Sequence, residues 1–250
     1  MTNARGPGRQ LTVIHEEGWS VMRTIQFRCL SVAALALLGL AAGAMAQDKA
    51  PAVLNALEVQ QLVKRAEPAD NARLAEHFTA LAQRYAAEAK RHTSMAQSFV
   101  GNPNRNLGTS MSMHCKQLSD LNTQSATTLR DLATYHRGLA VGAAVTPPAA
   151  GSRFEGGAGA PRPTDKELNA IAAKAATPAD HRAIEEYFRT LAKRDTTEAN
   201  EHVALAAAYR GTRIAQAAVH HDRLAGLARD SAKEATAAAE MHKQLAGIGR

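Results

Sequence analysis

The chain has 250 residues, of which 45% are hydrophobic, 21% charged and only 4% aromatic. This balance excludes wholesale disorder, and an apolar fraction rich in alanine and poor in aromatic residues argues for closely packed helices over a β-sandwich or barrel. The formal charge of +7 is interspersed along the chain with no basic block, which excludes the concentrated positive face that nucleic-acid binding needs.

Residues 1–21 read as an over-extended start and residues 22–46 as a cleavable signal peptide. Arg23 and Arg28 supply a positive n-region and Leu30 to Leu40 an apolar run. Ala44-Met45-Ala46 then presents the small residues that a signal peptidase reads, so cleavage is expected after Ala46. The run is too short and too alanine-rich for a membrane span of about 20 residues. The expected location is therefore periplasmic or secreted, with no stable membrane insertion after cleavage. Cleavage removes four of the 30 basic and two of the 23 acidic residues, leaving a net charge of +5. It also removes Cys29, which leaves Cys115 as the single cysteine and rules out an intramolecular disulfide. Cys115 is then a buried small side chain, a link between chains, or a metal ligand.

A short amphipathic helix is expected around Val53–Lys64. After it, Leu74, Phe78, Leu81, Tyr85, Glu88, His92, Met95 and Phe99 recur at spacings of four and three. This is one stripe along a helix of about nine turns. Gly101-Asn102-Pro103-Asn104 marks a turn, and Met111, His114, Leu118, Leu121, Ser125, Leu132 and Leu139 form the stripe of a returning helix. Residues 47–140 thus make one helical hairpin. Residues 141–163 have the proline- and glycine-rich composition of a linker.

Residues 164–250 repeat the pattern. A short helix is expected over Thr164–Ala175, and Thr177 is a cap with Pro178 at the first helical position and Asp180 reaching back. At an offset of 110, Glu76, Phe78, Leu81, Arg84, Glu88, Ala89, His92 and Ala96 meet Glu186, Phe188, Leu191, Arg194, Glu198, Ala199, His202 and Ala206. At an offset of 106, His114, Leu118, Leu121, Ser125, His136 and Leu139 meet His220, Leu224, Leu227, Ser231, His242 and Leu245. The change of offset falls in the turn, where insertions collect. The expected fold is all-α: a duplicated long antiparallel helical hairpin packed as a four-helix bundle with short extra helices. Two hairpins on a flexible tether are the alternative.

Glu88 with His92, and Glu198 with His202, place a carboxylate and an imidazole four apart on an apolar stripe, where a charge is costly unless it is paired or bound to a cation. Folding repeat two about a turn near Gly211 sets His202 opposite His220, and the equivalent position in repeat one is His114. Each hairpin would then gather one glutamate and two histidines. Such a set suits zinc, copper, nickel or iron, and the soft donors Met95, Met111, Met113 and Cys115 near the first set favour copper. The expected role is non-enzymatic sequestration or handling of a transition metal, copper before zinc or nickel. The competing reading makes the same residues a buried polar network in a metal-free structural or interaction module, whose partner is a second copy or an envelope protein. His136, which His77 can approach, and His242 read as interior histidines with satisfied hydrogen bonds. Enzyme readings are weaker: one stripe glutamate per repeat in Glu-x-x-x-His spacing does not make a di-iron carboxylate site, and no nucleophile elbow or phosphate-binding loop is present.

Overall fold

The computed structural model describes residues 53–103, 105–141 and 164–248. The expected signal peptide, its cleavage site, Cys29 and residues 142–163 of the linker lie outside the described residues. Among the described residues the protein is all-helical, without strands. The described residues form six α-helices: α1 (Ala56–Arg65), α2 (Pro68–Val100), α3 (Arg105–Leu139), α4 (Asp165–Lys174), α5 (Pro178–Arg210) and α6 (Ala218–Ile248). A single 3₁₀ turn over Ala215–Ala217 leads into α6.

The helix starts follow from local chemistry. Asn55 with Glu58, Thr164 with Glu167 and Thr177 with Asp180 form reciprocal capping boxes at α1, α4 and α5, each satisfying two otherwise orphaned backbone donors. Pro68 and Pro178 open α2 and α5, where a missing N–H has no cost. Helix α1 stops at Ala66, which turns into the left-handed region at φ 51°. That conformation is held in place. The Asn71 side chain donates to the carbonyls of Ala66 at 3.2 Å and Glu67 at 2.9 Å, and the Arg213 guanidinium also donates to the Ala66 carbonyl.

Helix α2 lies along α3, α5 lies along α6, and α3 contacts α6. The short helices each touch both halves, α1 packing on α2 and α5, and α4 on α2 and α5. Their C-termini are capped by the opposite half's turn. Asn102, between α2 and α3, donates to the carbonyls of Ala172 (3.1 Å) and Ala175 (3.3 Å) at the end of α4, while Arg213, between α5 and α6, caps α1. The apolar stripes fill two buried clusters. One gathers Val59, Leu62, Leu74, Phe78, Leu129 and Tyr209. The other gathers Met95, Phe99, Met111, Cys115, Ile184 and Phe188.

The α2–α3 corner is tight. A Cβ on Gly108 would lie 2.5 Å from the carbonyl oxygen of Phe99, and backbone cannot swing away as a long side chain would. Gly108→Ala is therefore expected to destabilise the protein by about 1–3 kcal/mol, read as a lower urea midpoint at unchanged slope. An unchanged midpoint would mean that the two helix ends stand further apart.

Candidate functional site

The polar residues of the core depend on the register across each turn. His202 on α5 faces His221, their Nδ1 atoms 3.2 Å apart, and not the expected His220. The register across the turn differs by one residue from that of a turn centred on Gly211, and one residue on a helix rotates a side chain by about 100°. His221 therefore points inward, fully buried, while His220 sits half-buried on the flank. The same displacement occurs across the first turn. Cys115 is buried, and His114 lies at the side of α3, its Nδ1 2.5 Å from Glu234 Oε1 on α6. The expected sets Glu88, His92, His114 and Glu198, His202, His220 are thus not brought together.

Both stripe glutamates are held by arginines. Arg194 on α5 lies 3.0 Å from Asp195, 3.2 Å from Glu88 on α2 and 3.8 Å from Glu198. Glu198 also meets Arg84 at 2.7 Å and accepts a short hydrogen bond from the Tyr85 hydroxyl. Glu88 also meets Arg91 at 3.3 Å, and Arg91 reaches Asp165 at 2.5 Å. Asp195 accepts the Ser231 hydroxyl of α6 at 2.5 Å. Burial opposes the Arg194 charge, but Asp195, Glu198 and Glu88 outweigh it and raise its pKa above the usual guanidinium value. Burial likewise pushes the Asp195 carboxyl up, with Arg194 acting against it. Tyr85, Asn122, Ser125, Asp195, Glu198 and Ser231 line a gap with room for about one water molecule, some 10 Å³.

Most of the histidines have partners. His77 Nδ1 accepts from the Leu54 N–H at 3.0 Å. His136 donates from Nδ1 to Asn71 Oδ1 at 2.8 Å and accepts at Nε2 from the Tyr209 hydroxyl at 2.9 Å, the satisfied interior state expected for it. His242 pairs with His181, Nδ1 to Nδ1 at 3.1 Å, but its Nε2 has no partner, and neither has the Nε2 of His221. In each histidine pair one ring is the donor and the other the acceptor. Phe78 stacks on His136 with centroids 5.5 Å apart, and Phe188 stacks on His242 at 6.3 Å, an equivalent contact in each half. Burial holds these rings neutral: His136 and His202 are pushed down to about 4 and His77 and His242 to about 3, and His221 also falls well below its ordinary value.

His92 differs from all of them. It is fully buried, and neither ring nitrogen has a hydrogen-bond partner. Burial pushes it down to about 4, with Glu88 opposing. The ring of Tyr187 on α5 stands 6.4 Å away, centroid to centroid, and its buried hydroxyl also has no partner. Met95, Met111 and Cys115 are buried in the same core cluster, whereas Met113 is exposed.

The chain matches no family model, no curated protein and no solved structure. Among the described residues, no three histidine, cysteine, aspartate or glutamate side chains converge as a metal-holding group, and no helix is long and apolar enough to cross a membrane. The functional residues absent from the sequence expectation are Arg194 at the centre of the charge network, Glu234 beside His114, and His221 and Tyr187 in the core. The alignment of Arg84 with Arg194 at the 110 offset, next to the paired glutamates, was the available signal for the network.

Proposed function

We propose that the chain is an exported, non-enzymatic helical module of the cell envelope, built as a duplicated antiparallel hairpin packed as a four-helix bundle. Its stripe glutamates and most of its histidines act as a buried polar network that fixes helix register, and the module presents a rigid helical body to a second copy or to an envelope protein. The observation that carries this reading is Arg194, which joins Glu88 of α2 to Asp195 and Glu198 of α5 and so ties the two halves through charges otherwise costly to bury. The equivalent stacking of Phe78 on His136 and of Phe188 on His242 supports the duplication. A copper-handling role narrows to the part of the core where a donor is left without a partner.

The test is metal uptake by the protein purified from cells, beside Glu88→Gln, His114→Ala and His220→Ala. Dialysis with zinc or nickel is expected to leave no stoichiometric ion and to leave helicity and Tm unchanged. One equivalent of either ion, lost in these variants, would overturn the network and restore the glutamate–histidine sets as ligands. Export is read from the N-terminus of the recovered protein, expected at Gln47; a chain retaining residues 22–46 would overturn cleavage.

A further inference from the structure

We propose that His92 and Cys115, with the thioethers of Met95 and Met111, form a binding site for one monovalent thiophilic metal ion of the Cu(I) type. Four donors of the right chemistry occupy two facing helix segments. His92 and Met95 are three apart on α2, and Met111 and Cys115 are four apart on α3, spacings that put each pair on one helix face. All four side chains are completely buried. The facing relation is visible in the other half of the molecule. His92 and Cys115 occupy the positions of His202 and His221 at the offsets 110 and 106, and that pair meets across α5 and α6 at 3.2 Å.

The two halves differ in what is left over. His202 and His221 share a ring-to-ring hydrogen bond that leaves only the Nε2 of His221 without a partner. His92 makes no hydrogen bond with the thiol or with any other group. A buried imidazole with both nitrogens bare forfeits its hydration without compensation, and a metal–nitrogen bond restores the loss. Tyr187 packs against His92, and its hydroxyl is close enough to Cys115 to feel the thiol electrostatically, which closes the same spot from α5.

Charge selects the ion. Glu88, the nearest carboxylate on the stripe, is engaged by Arg91 and Arg194, and both of those cations bear on His92. With a single thiolate, a divalent ion would leave a net positive charge to bury beside Glu88 and its two arginines. A monovalent ion with one thiolate is neutral overall, the least costly assembly to bury, and thiolate, thioether and imidazole are the donors that favour Cu(I). A cysteine thiol is protonated at neutral pH. Binding therefore replaces the S–H bond by an S–Cu bond and sends the proton to solvent.

The experiment is an anaerobic titration of the purified protein with Cu(I) against a chromophoric Cu(I) chelator, followed by X-ray absorption at the copper edge. One equivalent is expected, with one proton released per ion and both sulfur and nitrogen in the first coordination shell. Cys115→Ser and His92→Phe, each checked for helicity, are expected to weaken binding by at least a hundredfold. The proposal falls if the chelator keeps all the copper, if folded variants bind as tightly as the parent, or if the shell holds only nitrogen and oxygen. Should a variant fail to fold, the parent's coordination shell decides. The result is separable from the network reading, because Glu88→Gln, His114→Ala and His220→Ala leave these four donors in place.

Discussion

Lowered from pH 7.5 towards pH 4, the protein is expected to lose its helical structure cooperatively between about pH 6 and about pH 4.5. Six of the seven almost completely buried histidines, His77, His92, His136, His202, His221 and His242, are pushed far below their ordinary value by burial, and His181 is lowered as well. Other groups modulate this. Glu88 and Glu198 favour protonation of His92 and His202, whereas Arg84 opposes it at His77 and His202, and the histidines oppose one another. Desolvation is the largest cause throughout. The folded form therefore holds these rings neutral at pH values where the unfolded chain, with histidines near 6.5, binds protons. Stability is complete above the unfolded pKa and is lost as pH falls below it, down to the folded values near 3–4. Each ring contributes about 1.4 kcal/mol per pH unit once the unfolded form is protonated, so six together remove about 8 kcal/mol per unit. A domain with 5–15 kcal/mol in hand exhausts its stability within about one to two units. Circular dichroism against pH checks this, with ring-proton NMR showing the buried histidines untitrated until the helix signal falls. Helicity persisting at pH 4 would mean that water reaches these rings in the folded state.

What the sequence reveals and what it conceals divide along a physical line. Helix positions, the short helices and the capping box at Thr177 depend on local chemistry and periodicity, and both are written in the chain. Burial of Leu74, Phe78, Met95 and Phe99 follows from the same stripe. The relative rotation of two helices is different, because it is set by the path of the turn. No hydrophobic pattern announces that path, and a displacement of one residue exchanges His220 for His221 and His114 for Cys115. The partners of Glu88 and Glu198 were hidden for a related reason. Arg84 and Arg194 lie on long helices whose pattern does not say where their charges go, and their long stems carry the guanidinium groups across to Glu198 and Glu88 of the other helix. His92 and Cys115 were legible as residue types, but that His92 lacks any partner is a property of packing alone.

Arg194→Met is expected to destabilise the protein by about 3 kcal/mol at pH 7.5. Methionine keeps much of the buried stem, so the loss isolates the charge. Removing one partner of a buried ionic network strands the others, at a cost of about 3–5 kcal/mol for full burial; the lower end applies because the Arg194 side chain is 23% exposed. Asp195 bears most of that loss, its side chain being only 4% exposed and Ser231 its remaining neutral donor. Glu198 keeps Arg84 and Glu88 keeps Arg91. Adding Asp195→Asn to the Arg194→Met variant is therefore expected to recover more stability than adding Glu88→Gln, since the amide needs no counter-charge and still accepts from Ser231. Urea unfolding of the four proteins at pH 7.5, where the histidines are neutral in both states, checks the order. A loss below about 0.5 kcal/mol would place Arg194 among hydrated surface pairs, and equal recovery by both second substitutions would show that its charge is shared evenly between the two halves.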